Sequence, residues 1–161
     1  MNISRRQMMA TSAATALTSA FLPSLSFAMA NGHTGSIFSE NGVAIRGTDP
    51  VGYFLEGDTV AGDPSISTNW MGVDWYFATA ENREMFEMNP HKFAPQYGGY
   101  CAFAASKGAA ASTDPNAWTI VDDKLYLNYS LNVRELWQQD IPGNIAKAND
   151  NWPSILEALT A

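Results

Sequence analysis

The single cysteine of the chain, Cys101, follows closely after a pair of glycines, Gly98 and Gly99, in the run Gln96–Ala102. Glycine reaches backbone conformations that are closed to residues with a Cβ, so the pair predicts a sharp change of chain direction just before the thiol. One cysteine cannot form an internal disulfide, so apolar packing has to stabilise the fold. Apolar residues make up 46% of the 161-residue chain and aromatic residues 12%, which is enough for the core of one compact domain.

The charge balance of the chain is acidic. There are 16 Asp and Glu residues against 9 Lys and Arg, which gives a formal net charge of −7 at neutral pH. Negative charge is repelled by the phosphates of nucleic acids and by anionic membrane surfaces. We therefore expect neither as a partner of this protein.

Residues 1–30 have the composition of an export signal. Arg5 and Arg6 give it a positive start, an apolar and Ala-rich stretch follows over residues 8–22, and small residues over 26–30 fit a cleavage site. The apolar stretch is short and is interrupted by Ser and Thr, so it does not predict a membrane span.

The segment Ser4–Met9 resembles the twin-arginine export motif of bacteria and archaea. An ordinary secretory signal with two adjacent arginines is the alternative. Either signal predicts a periplasmic or secreted protein. We predict a signal peptide over residues 1–30, a flexible lead-in over 31–40 and a folded domain over 41–161.

The hydrophobic pattern predicts a small single α+β domain, with short antiparallel strand pairs and hairpins packed by several short helices. Trp75–Ala78 has the composition of a buried strand, and Trp118–Asn128 that of a hairpin with Asp122-Asp123 as its turn. Asn132–Gln139 has apolar residues at helical spacing. Because proline lacks an N–H, the stretch Asn151-Trp152-Pro153 predicts a break before the last helix.

Two helix boundaries can be predicted from capping signals. Thr79 is an N-cap candidate, since a threonine hydroxyl accepts a hydrogen bond from the first turn of a helix. The Ala-rich segment Tyr100–Lys107 predicts a short helix that ends at Gly108. Cys101 would then lie in the first turn, where the helix dipole favours a thiolate.

Four blocks of the chain together resemble the YHS domain family. They match its D-P-V opening, its Y-Y/F-F strand, its helix with R-x-x-F and its closing N/D-P-x-x-Y/F, and they are Asp49–Val51, Trp75–Thr79, Arg83–Phe86 and Asn89–Phe93. Further blocks resemble an exported subgroup of that family: Ala94–Ala102, Trp118–Asp122, Leu125–Tyr129, Asp140–Gly143 and Asn151–Pro153. The resemblance covers about residues 41–157 and implies a YHS-like fold, but no particular activity.

The family resemblance also brings a metal-binding interpretation, because related modules hold zinc or copper through cysteines in D-P-V-C and F-C-S-x-x-C. The three matching positions in this sequence are Gly52, Ala78 and Asn82. None of them supplies a thiolate, and a structural zinc needs about four ligands. The resemblance therefore implies that the metal site of the family is not carried over.

A different metal site is possible around Cys101. His91 lies ten residues before it, the glycine bend between them could fold the two together, and Met88 is close by in the sequence. Thiolate, imidazole and thioether groups suit a soft metal ion, copper or zinc. The alternatives are a small buried cysteine, an exposed histidine at a helix end, and an exposed Met88 without a metal.

Several aromatic residues are candidates for an apolar ligand pocket. They are Tyr53, Trp75, Tyr97, Tyr100 and Trp118. The alternative is that these side chains form the hydrophobic core.

Three functions remain open from the sequence. We favour an exported, non-catalytic binding module for a metal or small molecule, centred on Cys101. The alternatives are an interaction domain of a larger exported system, and a thiol enzyme in which His91 acts as the base for Cys101. The sequence contains no Ser-His-Asp order, phosphate-binding glycine loop or His-Glu-x-x-His motif. This favours a non-catalytic protein and leaves the thiol enzyme open as the alternative.

Overall fold

A computed structural model describes residues 35–161 of the chain. The predicted signal peptide and the first part of the lead-in lie outside the described residues. The lead-in differs from the prediction where it is described: Ile37 and Phe38 are buried, and Phe38 N donates to Gly98 O at 2.8 Å. The packed domain therefore begins before residue 41.

The element order confirms the predicted α+β class. The strands are β1 Ser39–Glu40, β2 Val43–Ala44, β3 Asp63–Trp70, β4 Val73–Phe77, β5 Asp114–Val121 and β6 Lys124–Asn128. The α-helices are α1 Gly52–Leu55, α2 Ala80–Met88, α3 Pro90–Phe93, α4 Ala102–Ser106, α5 Leu131–Gln138 and α6 Ile141–Thr160. Short 3-10 turns cover Ile45–Gly47 and Gln96–Gly99. None of the helices in this described part combines the length and apolar character needed to cross a membrane.

The first sheet has the strand order β1-β2-β4-β3, in which β2 and β4 are parallel and the other neighbours antiparallel. Strands β3 and β4 form a hairpin in which Trp70 pairs with Val73. The two loop residues, Met71 and Gly72, have φ values of 53° and 81°. Positive φ at both loop positions is the requirement of a type I′ turn, whose twist matches that of the strands.

The second sheet is the predicted hairpin of β5 and β6. Its turn residues Asp122 and Asp123 both have positive φ, as the predicted two-residue turn requires. All side chains of β6 from Leu125 to Asn128 are buried. Because successive side chains of a strand point to opposite faces, this strand separates two core clusters.

The sheet cluster comprises Ile37, Ala44, Ile45, Val51, Tyr53, Trp75, Phe77, Phe86, Phe93, Ala94, Leu125 and Leu127. The helix cluster comprises Phe38, Tyr97, Tyr100, Cys101, Ala102, Phe103, Ala104, Ala105, Ala110, Ala111, Tyr126, Val133, Trp137, Ala148 and Ile155.

The predicted break at Pro153 is wrong. Helix α6 runs without interruption from Ile141 to Thr160. A proline inside a helix removes one backbone hydrogen bond, but here Trp152 and Ile155 on either side of it pack against the helix cluster. Their burial offsets the lost hydrogen bond, and the helix continues.

Candidate functional site

Cys101 is a buried capping residue of α4. Its side chain is 0% exposed, and its Sγ accepts hydrogen bonds from Ala104 N at 3.4 Å and Tyr129 N at 3.3 Å. The thiol also lies 3.7 Å from Asn128 Oδ1, to which it donates. Burial raises the pKa of this thiol. The sulfur is therefore held as a neutral thiol with all its hydrogen-bonding capacity used locally.

The three predicted metal ligands are not brought together. Cys101 is sealed in the helix cluster, whereas Met88 is 79% exposed at the end of α2. His91, in α3, is exposed and its ring contacts Trp70 on the side of the sheet cluster. Within residues 35–161 no group of three or more His, Cys, Asp or Glu side chains could hold a metal ion. The geometry therefore gives no support to a metal site shared by Cys101, His91 and Met88.

The predicted aromatic pocket is dispersed over both clusters. Trp75 and Tyr53 are buried in the sheet cluster, with Tyr53 against the half-buried Trp118 at 5.4 Å between ring centroids. Tyr97 and Tyr100 are buried in the helix cluster. These residues do not line one common pocket, and most of them form the hydrophobic core instead.

Three positions named in the sequence analysis, Gly52, Ala78 and Asn82, converge on Asp49, which is 0% exposed. Its Oδ2 accepts from Ala78 N at 2.8 Å and from Asn82 Nδ2 at 2.7 Å. Its Oδ1 accepts from Val51 N at 2.8 Å and from Gly52 N at 3.4 Å. A hydrogen-bonded carboxylate thus accepts from the backbone N–H of Gly52 and Ala78 and from the side chain of Asn82.

A recess of about 220 Å³ lies between the β3–β4 hairpin, α3 and α6. Its lining includes Trp70, Met71, His91, Gln96, Tyr97 and Trp152. It thus combines aromatic side chains from both halves of the domain with one imidazole and one thioether. Of the metal ligands and pocket residues predicted from the sequence, it brings together only His91 and Tyr97.

The glycine bend shapes one wall of this recess. Tyr97 and Gly98 have φ values of 54° and 59°, and Gly99 has a φ of 83°. A Cβ at Gly98 would collide with the backbone oxygen of Ser36, so only glycine fits there. The predicted change of direction is therefore confirmed, but it positions Tyr97 at the recess and does not expose Cys101.

The aromatic rings around the recess are fixed by their packing. Trp70 contacts Trp75 and Phe86 edge-on, at centroid distances of 5.6 Å and 5.7 Å. Tyr97 packs 5.6 Å from Trp152, and its hydroxyl donates to Asn149 Oδ1 at 2.9 Å. Burial raises the pKa of Tyr97, which keeps its hydroxyl protonated.

Two lining side chains are open to a ligand. Met71 is 51% exposed, and His91 is exposed with its ring edge-on to Trp70 at a centroid distance of 5.2 Å. Within the described part of the chain the His91 imidazole makes no hydrogen bond. Met71 was not among the predicted site residues. Its place before a glycine in a two-residue hairpin turn is a signal by which it could have been found.

A second, larger recess of about 350 Å³ lies between Gly108–Ala110 and α6. Its walls consist of Ala, Gly, Ser, Ile, Leu and Asn side chains, with the carboxylate of Asp150 at its edge. It brings together no imidazole, sulfur or aromatic group, so it has fewer groups for the specific recognition of a ligand than the recess at Trp70 and His91.

Comparison of the chain with protein-family models, with curated proteins and with solved structures found no match.

Proposed function

We propose that the protein is an exported, non-catalytic binding module of the YHS type, and that its ligand site is the recess between Trp70, His91 and Trp152. One observation carries the proposal: His91 and Met71, both open to solvent, line the same aromatic recess. Convergence of a few polar groups on a mostly apolar recess is the usual form of a small-ligand site.

The state of Cys101 supports a binding role over thiol chemistry. A nucleophilic cysteine needs an accessible thiolate and a base within hydrogen-bond reach. Cys101 has zero exposure, a raised pKa, and hydrogen-bond partners that are backbone amides and an amide oxygen. We therefore set aside the enzyme in which His91 activates Cys101.

Export to the periplasm or the cell exterior is part of the proposed function. The proposal rests on the arginine pair and the apolar stretch over residues 1–30. Accessible free thiols are oxidised in an oxidising compartment, whereas a thiol with no exposed surface is protected from oxidation.

Membership in the YHS family is supported by the resemblance and by Asp49. The three positions that correspond to the cysteines of the family are Gly52, Ala78 and Asn82, and each donates to the same carboxylate. Positions that hold one metal ion in relatives have to converge on one point, and these do.

The proposal is tested by NMR of the folded domain with three small probes: indole, tetramethylammonium and Ag(I). These represent an apolar aromatic ligand, an organic cation and a soft metal ion. We expect at least one probe to shift the indole signals of Trp70 and Trp152, while Trp137, which is 0% exposed in the helix cluster, stays unchanged. If no probe moves Trp70 or Trp152, the recess is not a ligand site and the proposal fails.

A further inference from the structure

We infer that the recess binds a soft monovalent metal ion, Cu(I), through the thioether of Met71 and the imidazole of His91, with the indole of Trp70 beside the ion. This inference rests on the proposed function and names the ligand class of the same site.

The position of Met71 is the first reason. It is the first loop residue of the type I′ turn between β3 and β4, with a φ of 53°. Such positions favour Asn, Asp or Gly, and a bulky side chain there strains the backbone. Since the side chain is also 51% exposed, neither turn geometry nor burial accounts for methionine. A role for its sulfur at the recess does.

The availability of His91 is the second reason. The edge contact with Trp70 restricts the imidazole. Its nitrogens make no hydrogen bond within residues 35–161, so a lone pair is available without breaking an existing contact. A ligand that is held in place but unpartnered binds a metal with little loss of side-chain entropy.

The donor set selects the metal. Thioether and imidazole ligands favour Cu(I), whereas Mg²⁺ and Ca²⁺ require oxygen ligands. The lining of the recess contains no Asp or Glu, so it lacks the carboxylates that a hard cation needs. The soft alternative, Cys101, is sealed away from the recess and does not compete.

Trp70 supplies a further attraction. Its ring lies 5.2 Å from the His91 ring, centroid to centroid, so an ion bound to His91 on the recess side comes close to the indole. The face of a tryptophan attracts cations more strongly than other aromatic rings do. Contacts with Trp75 and Phe86 hold that ring in place.

The experiment is an anaerobic titration of Cu(I), kept reduced by ascorbate, against a chromophoric Cu(I) chelator. We expect one Cu(I) per chain. The substitutions Met71→Leu and His91→Phe keep apolar bulk or a ring at each position but remove the donor atom, and each is expected to weaken binding at least tenfold. The matched control is Met88→Leu, which removes a thioether that is 79% exposed and outside the recess; its affinity is expected to equal that of the wild type. Thermal unfolding of each variant verifies that it is folded.

The outcomes separate the inference from the proposed function. Equal Cu(I) affinity in wild type, Met71→Leu and His91→Phe overturns the inference. So does a wild-type protein that binds no Cu(I) while indole or tetramethylammonium shifts Trp70 and Trp152, although the recess then remains a binding site. Binding that disappears in Cys101→Ala and persists in the other variants also overturns it, because the metal would then sit on the buried thiol.

Discussion

The side-chain amide of Asn82 donates a 2.7 Å hydrogen bond to the carboxylate of Asp49, which has no exposed surface. The contact joins the start of α2 to the turn that precedes α1. Together with Ala78 N at 2.8 Å, it satisfies the Oδ2 of a buried acidic group. A carboxylate in this position is tolerated only while its hydrogen bonds are complete.

Removal of this donor is expected to destabilise the domain. Asn82→Ala leaves one lone pair of a buried carboxylate without a partner, which costs about 1–3 kcal/mol. The measurement is the free energy of unfolding in urea. The matched control is Asn69→Ala, which removes a 2.8 Å amide–carboxylate bond to Asp74 at the exposed surface and is expected to cost within about 0.5 kcal/mol. Equal losses in the two variants contradict the role given to Asp49.

A second prediction concerns the contribution of the glycine bend to the stability of the domain. Gly98→Ala adds a Cβ that collides with the backbone oxygen of Ser36. Gly57→Ala is its control, because Gly57 also has a positive φ, of 66°, but has nothing within 4 Å of the added Cβ. We expect the control to lose about 1 kcal/mol from backbone strain alone, and Gly98→Ala to lose clearly more. Urea unfolding gives both values, and equal losses would show that the close approach to Ser36 is unimportant.

The buried thiol predicts how stability depends on pH. Burial raises the pKa of Cys101 above its ordinary value of 9.0, so the folded state keeps a proton that the unfolded chain releases. The corresponding stabilisation is complete below pH 9.0 and is lost as the pH rises from there through the pKa of the folded state. We expect the free energy of unfolding to fall over this range, and to fall less in Cys101→Ala. Identical pH slopes in the two proteins would contradict a raised thiol pKa.

Features set by short sequence stretches were predictable. Thr79 caps α2 through a 3.1 Å bond from Asn82 N to its Oγ1, as expected from its side chain. Asp122 and Asp123 form the hairpin turn because both tolerate positive φ. Helix α4 begins at Ala102, two residues later than the predicted start at Tyr100, so Cys101 is its N-cap and does not lie in its first turn.

Features set by contacts distant in sequence were not predictable. The continuity of α6 through Pro153 depends on packing of Trp152 and Ile155 against residues of the helix cluster, which no local pattern encodes. The recess has the same origin, since Met71, His91 and Trp152 come from three separate elements. The predicted site was centred on Cys101 because the burial of this side chain cannot be deduced from its neighbours in the sequence.

The most direct test of the central claim is copper K-edge X-ray absorption of the Cu(I)-loaded protein labelled with selenomethionine. Selenium distinguishes a methionine ligand from the sulfur of Cys101 within one spectrum. We predict a copper–selenium contact that is present in the labelled wild type and in Met88→Leu, and absent in Met71→Leu. A spectrum with sulfur and no selenium around copper, or one unchanged in Met71→Leu, would contradict the assignment of the recess as the binding site for the metal.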